Sequence, residues 1–182
     1  MAKVEWNNHA FYLGYPVYIG MKKAQDGTIF ATTMSSSFAL GDILVLGMGA
    51  NGKTTSALKV GDTFSLNLLG KGKEKLSDIC GALPAKERLQ HLKITEIDGV
   101  PTLDDALLLQ SGKVIAMTPT RDSDGEAYFI VQVKIEKRLI EESAVDLENF
   151  QPLVLAGDGK GKRGYKSLDT NFTGLGESLR KD

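Results

Sequence analysis

Gly61 follows Gly52 by only nine positions, and that short interval limits what this chain can fold into. The preceding stretch Gly47-Met48-Gly49-Ala50-Asn51-Gly52-Lys53-Thr54 fits the phosphate-binding pattern G-x-x-x-x-G-K-[ST], with the apolar run Ile43 to Leu46 leading into it. A P-loop nucleoside triphosphatase places that motif in a βαβ unit, whose crossover takes a dozen or more residues, and holds magnesium with an acidic residue from a second strand. Residues 53–58 leave room for about two helical turns, and the best strand-plus-aspartate candidate is far away at residues 153–158. The NTPase reading is therefore disfavoured. A glycine-rich turn with a solvated lysine, or a phosphate site in another architecture, remains open.

The rest of the chain reads mostly as turn-bounded strands. Residues 15–21 alternate Val17, Ile19 and Met21 on one face and break at Gln25-Asp26-Gly27, a turn signal. Strands are expected at 28–36, 43–48 and 63–69, the last with Phe64, Leu66 and Leu68 facing one way. Residues 73–80 and 84–92 read as short amphipathic helices inserted between strands, the second with Pro84 at its start. Further strands are expected at 93–97, 114–118 and 127–139. Strands with so little helix between them predict a mainly β fold, an antiparallel barrel with a few short helices.

At 182 residues and 42% hydrophobic content, the chain can bury a full core, and a single domain over 1–182 is expected. Its C-terminal part, from about 141 to 182, reads as an irregular extension, with 156–164 as a glycine- and lysine-rich loop. The single Cys80 cannot form an intrachain disulfide, and no Cys/His cluster has zinc-ligand spacing, so no metal is expected. Cys80 itself reads as a buried helix residue. The N-terminal residues lack the basic head and apolar run of a signal peptide, and no stretch approaches the roughly 18 apolar residues of a membrane span. A cytoplasmic protein off the membrane is the expectation. A net charge of −1 gives no electrostatic basis for binding nucleic acid.

Five of the six residues 32–37 are hydroxylic: Thr32, Thr33, Ser35, Ser36 and Ser37. Such residues often sit on a wetted strand face. Here both faces carry them, and a buried hydroxyl needs a partner. A polar ligand laid along the strand supplies one, and an isoalloxazine ring suits: its rim offers carbonyl oxygens and ring nitrogens, its xylene edge needs apolar cover.

At this point the chain resembles the flavin reductase-like, FMN-binding split-barrel family, which includes the flavoredoxins, from about Phe11 to Ile140. The similarity lies in Tyr15-Pro16-Val17, the Thr/Ser-rich strand, a Gly41-Asp42 turn, Lys53-Thr54-Thr55 with a short helix, and Gly61-Asp62-Thr63-Phe64-Ser65-Leu66-Asn67. It implies that Thr32, Thr33, Ser35 and Ser36 touch the flavin ring or ribityl chain, that Lys53 and Thr55 hold the phosphate of FMN, and that Asn67 helps shape the site. It also implies an antiparallel Greek-key split β-barrel and a homodimer, with NAD(P)H or a redox partner protein as electron donor. Two departures stand out. The family's double proline is replaced by Ile43-Leu44, and the neighbourhood where reductase members carry a nicotinamide-associated histidine reads Gly125-Glu126-Ala127-Tyr128. The resemblance therefore implies an FMN-binding protein, either an NAD(P)H:flavin oxidoreductase or a non-enzymatic electron carrier. No catalytic side chain is assigned, and His9 and His91 are the histidines left to replace the missing one.

Overall fold

The computed structural model describes residues 13–146, 149–158 and 162–168. His9 and Phe11 lie outside them. Every strand pair among the described residues is antiparallel, so the βαβ unit required by a P-loop NTPase is absent from this part of the chain.

The central element is a seven-stranded sheet made of β2 (Tyr18–Lys23), β3 (Ile29–Met34), β4 (Ser37–Leu40), β5 (Ile43–Gly49), β6 (Thr63–Leu69), β9 (Ala106–Arg121) and β10 (Ala127–Ile140), in the order β3-β2-β6-β9-β10-β5-β4. Its two edge strands, β3 and β4, are consecutive in sequence and joined only by Ser35 and Ser36. That link draws the edges together and rolls the sheet into a barrel that is split between β3 and β5. Near the split, the Gly47 amide donates to the Ser36 carbonyl at 2.8 Å. Two bulges in the β9–β10 pairing, at Gln132/Val133 and Ile135/Lys137, add the bend that closure requires.

The alternation in β6 has a direct outcome. Phe64, Leu66 and Leu68 turn into the barrel with Leu44, Leu46, Met48, Val131 and Val133, while Leu69 joins a second core on the outer side with Val17, Ile19, Met21, Cys80 and Leu103. This second core is covered by the insertion between β6 and β9: α2 (Glu74–Ala82), α3 (Ala85–Gln90) and the hairpin of β7 (Ile94–Ile97) and β8 (Val100–Leu103). Leu153, from a C-terminal strand, completes it.

Three parts differ from expectation. The segment from 141 onward is not uniformly irregular, because β11 (Leu153–Gly157) and β12 (Arg163–Ser167) form a hairpin that pairs with β1 (Leu13–Pro16). Ala156, Gly157 and Gly164 thus belong to strands rather than to a loop. The strand expected at 114–118 runs from Ala106 to Arg121, and β4 and β8 arise where no strand was expected. Among the described residues no helix is long and apolar enough to cross a membrane.

Candidate functional site

The split in the barrel opens a cleft of about 490 Å³. One wall is the edge strand β3 with its link: Thr32, Thr33, Met34, Ser35 and Ser36. An edge strand carries a row of backbone groups that no neighbouring strand takes up, so this wall offers amides and carbonyls as well as hydroxyls. The facing wall is Gly47, Met48 and Gly49 at the end of β5, beyond the last β4–β5 pair, Ser37 with Leu46. Gly49 keeps this wall flat, since a Cβ there would meet nothing within 4 Å. The end of the cleft is Ala50, Asn51, Gly52 and Thr55, where the phosphate-like motif turns into α1 (Lys53–Ala57), and Glu126, Ala127 and Tyr128 at the start of β10 close the remaining side.

The helix α1 is five residues long, with Gly52 at its N-cap and no side-chain cap or acidic residue in its first turn. Among the described residues the amides of Lys53, Thr54 and Thr55 meet no acceptor; the first bond of this turn is Ser56 donating to the Gly52 carbonyl at 2.9 Å. Thr54 and Thr55 are buried. Lys53 is exposed beside the cleft, does not line it, and makes no ion pair or hydrogen bond among the described residues.

The expected site residues are thus brought together in large part. Thr32, Thr33, Ser35, Ser36 and Thr55 all line one cleft. Their hydroxyls differ in availability, since Thr33 Oγ1 donates to the Ser77 carbonyl of α2 at 2.6 Å, whereas no bond within the described residues occupies the side chains of Thr32, Ser35, Ser36 or Thr55. Asn67 lies elsewhere. It is fully buried in β6, where Nδ2 donates to the Ile19 carbonyl at 3.0 Å and Oδ1 accepts the Leu103 amide at 2.9 Å. Both ends of its amide are engaged in joining β2, β6 and β8, which corrects its place among the cofactor-binding residues: it stitches strands instead of facing the cleft.

Among the described residues, Glu126 is the one charged residue that lines the cleft. His91 caps the C-terminal end of α3, is exposed, and is not part of the cleft. Cys80 is fully buried, and burial pushes its thiol up to about 11 from an ordinary 9.0. A neutral thiol in an apolar core is a poor nucleophile.

No family model and no curated protein sequence matches this chain. Solved structures do. The chain is similar to a flavoredoxin from Methanosarcina acetivorans, with a TM-score of 0.79 and 18% identity over 98% of this chain and 100% of that one. It is similar to the flavin reductase HpaC complexed with NADP+, with a TM-score of 0.66 and 21% identity over 86% of this chain and 92% of that one. It is also similar to the NADH:FAD oxidoreductase SgcE6 of Streptomyces globisporus, in complex with NAD and FAD fragments, with a TM-score of 0.65 and 11% identity over 84% and 86% of the two chains. The expected antiparallel barrel and its resemblance to these proteins both hold, and the chain has the mainly β, flavin reductase-like fold.

Proposed function

We propose that this protein binds FMN in the cleft and acts as an NAD(P)H:flavin oxidoreductase. The observation that carries the reading is the set of four hydroxyls, Thr32, Ser35, Ser36 and Thr55, that converge on one cleft without partners among the described residues. Some other hydroxyls in this fold are engaged, as Thr33, Ser65 and Thr95 donate at 2.6, 2.6 and 2.7 Å, while the buried Ser37 Oγ, next to Ser36, has no partner among the described residues either. The cleft fits a flavin in its other features too. Met34 and Met48 supply apolar cover, and Gly49 adds no side chain to a wall with open space before it, while Gly47 lets Ser36 pack closely against β5. Thr55 and the exposed Lys53 stand at the end where the phosphate belongs, and a charge-assisted hydrogen bond there adds to orientation.

A bound flavin supplies the electron-transfer chemistry. The chain's own task is to hold the ring at the split, keep its edge bonded and exclude water from the barrel side. No side chain is given a proton-transfer role. A second reading, a non-enzymatic electron carrier that receives electrons from a redox protein, is favoured by Glu126, an acid in the cleft where a nicotinamide-binding histidine would help.

The test is direct. The purified protein is expected to be yellow, to release FMN on heating, and to be reduced by NADH or NADPH with a rate that saturates in donor. A rate linear in donor, with fast reduction by a one-electron donor, would establish the carrier instead. A colourless protein that does not take up FMN would overturn both. Lys53→Ala is expected to weaken FMN roughly ten- to a hundredfold and leave riboflavin nearly unchanged. Equal loss for the two flavins would remove Lys53 from the phosphate site. Steady ATP or GTP hydrolysis abolished by the same variant would restore the NTPase reading.

A further inference from the structure

The insertion between β6 and β9 grips β3 on the open edge of that strand. The β2–β3 ladder pairs Gly20 with Thr32 and Lys22 with Phe30, and the turn joining the strands closes with the Ala24 amide donating to the Thr28 carbonyl at 2.8 Å. Hydrogen-bonded pairs alternate along an antiparallel ladder. Phe30, Thr32 and Met34 therefore turn their backbone groups to β2, and Ala31 and Thr33 turn theirs to the edge. Arg88 of α3 agrees with this parity, since its Nη1 donates to the Ala31 carbonyl at 2.6 Å while Nε and Nη2 hold the Leu83 carbonyl at 3.0 and 2.6 Å. The Thr33 amide and carbonyl come next along the same edge. Among the described residues β3 pairs with β2 alone, so no strand takes them up.

Thr33 lines the cleft, yet its hydroxyl is committed to the Ser77 carbonyl of α2 at 2.6 Å. What Thr33 offers the cleft is its backbone. Ser77 is itself held. It is fully buried, and its Oγ lies 3.0 Å from the hydroxyl of Tyr165 on β12, which lies 2.7 Å from Asp78 Oδ1. A phenol has one proton, and a carboxylate is the stronger acceptor, so Tyr165 donates to Asp78 and the Ser77 hydroxyl donates to Tyr165. A chain of bonds thus runs from the C-terminal hairpin through one helix residue to the cleft wall. Neither Ser77 nor Tyr165 lines the cleft.

We propose that Tyr165 and Ser77 are positioning residues for the flavin ring, holding Thr33 so that its amide and carbonyl, and not its hydroxyl, bond the ring's polar rim. The inference rests on the flavin reading of the cleft. The imide end of an isoalloxazine presents an N–H between two carbonyl oxygens, and a donor and an acceptor side by side on a strand edge match it much as a neighbouring strand would. Hydrogen bonds to the ring tune its electrons, so a displaced Thr33 changes the absorption band of the bound flavin as well as its affinity.

The experiment titrates the full-length protein with FMN and with riboflavin and records the absorption band of each bound flavin, for the wild type, Thr33→Val, Thr33→Ser, Tyr165→Phe and the double variant Thr33→Val with Tyr165→Phe. Thr33→Val is expected to shift the band and to weaken both flavins equally, roughly two- to tenfold, because the lost bond acts at the ring and not at the phosphate. Thr33→Ser is expected to restore both properties. Tyr165→Phe is expected to shift the band in the same direction, and the double variant to match Thr33→Val, since two residues acting through one chain of bonds do not add. A band unmoved in folded Thr33→Val or Tyr165→Phe, even where the urea midpoint falls, would overturn the proposal. So would a Thr33→Ser no better than Thr33→Val, a loss confined to FMN, or losses that add in the double variant. A wild type that takes up neither flavin sinks the cleft reading and this one together, while a wild type that binds both and variants that match it sink this one alone.

Discussion

A methyl group added at Gly112 would sit 1.9 Å from the Lys134 carbonyl oxygen. The cause is the bulge on β10, where Gly112 opposes Ile135 and the next pair is Ser111 with Lys137, so that the extra Glu136 pushes backbone against backbone. Gly112→Ala is expected to cost at least about 1–3 kcal/mol, seen as a lower urea midpoint. A lesser loss would mean that the bulge can slip. Cys80 gives a pH-dependent counterpart. Its folded-state pKa is raised from 9.0 to about 11 by burial, so its contribution to stability is complete below 9 and is lost as pH rises toward 11. Cys80→Ala is expected to flatten the loss of stability between those values relative to the wild type. Parallel pH curves would show that the thiol does not titrate there. At this scale the hydroxyls of Thr32, Ser35 and Ser36 stood out because their density is unusual, while Thr55 came only with the resemblance. The role of Asn67 was not, since nothing in its neighbours' spacing says whether a strand amide turns to a ligand or bonds the backbone beside it.

Among the elements, α1 is held in an unusual way. Lys22, on β2, donates both to the Ala57 carbonyl at the end of α1 and to Asp62 just before β6. Its side chain is 9% exposed and that of Asp62 28%. The pair is only partly buried, and Asp62 keeps the Lys59 amide as a donor at 2.7 Å when Lys22 is removed, so the larger loss is the bond to Ala57. Lys22→Ala is expected to cost about 1–3 kcal/mol and to weaken FMN by loosening α1, whereas Lys22→Met combined with Asp62→Leu should recover most of the stability. A double variant no better than the single would assign the loss to packing. The periodicities of β6 and β10 could be read almost to the residue because each alternates between core and something else. The first half of β9 could not. It lies between β6 and β10, with Leu107, Leu109 and Ser111 buried and Leu108 packed on the barrel core, so no polar face breaks its leucine run. The C-terminal hairpin was hidden by glycine and lysine, which suit its exposed strand but mimic a loop.

For the whole molecule, the cleft is a product of topology: a seven-stranded sheet whose edges are sequence neighbours meets itself without a shared ladder along its full length. The barrel class was legible from turn spacing, while the strand order that makes the split depends on long-range pairing that no local pattern encodes. The outer face next to the cleft carries Phe38 and Leu40, 58% and 60% exposed, opposite Val45 and Ile43, with Ile130 one strand further on. The homodimer proposed from the resemblance would cover such a face. Light scattering is expected to give twice the 19.7 kDa chain mass, falling to one chain for Phe38→Glu with Leu40→Glu. A wild-type monomer would reject the dimer. The β1–β11 pairing has a consequence for biosynthesis. Pro16 meets Val154, 138 positions later (154 − 16), so a ribosome must deliver all the residues between them before β1 gains this partner. Until then the nascent protein keeps that strand unpaired from β11, and the second core lacks Leu153, which makes the interval before β11 emerges one in need of chaperone protection.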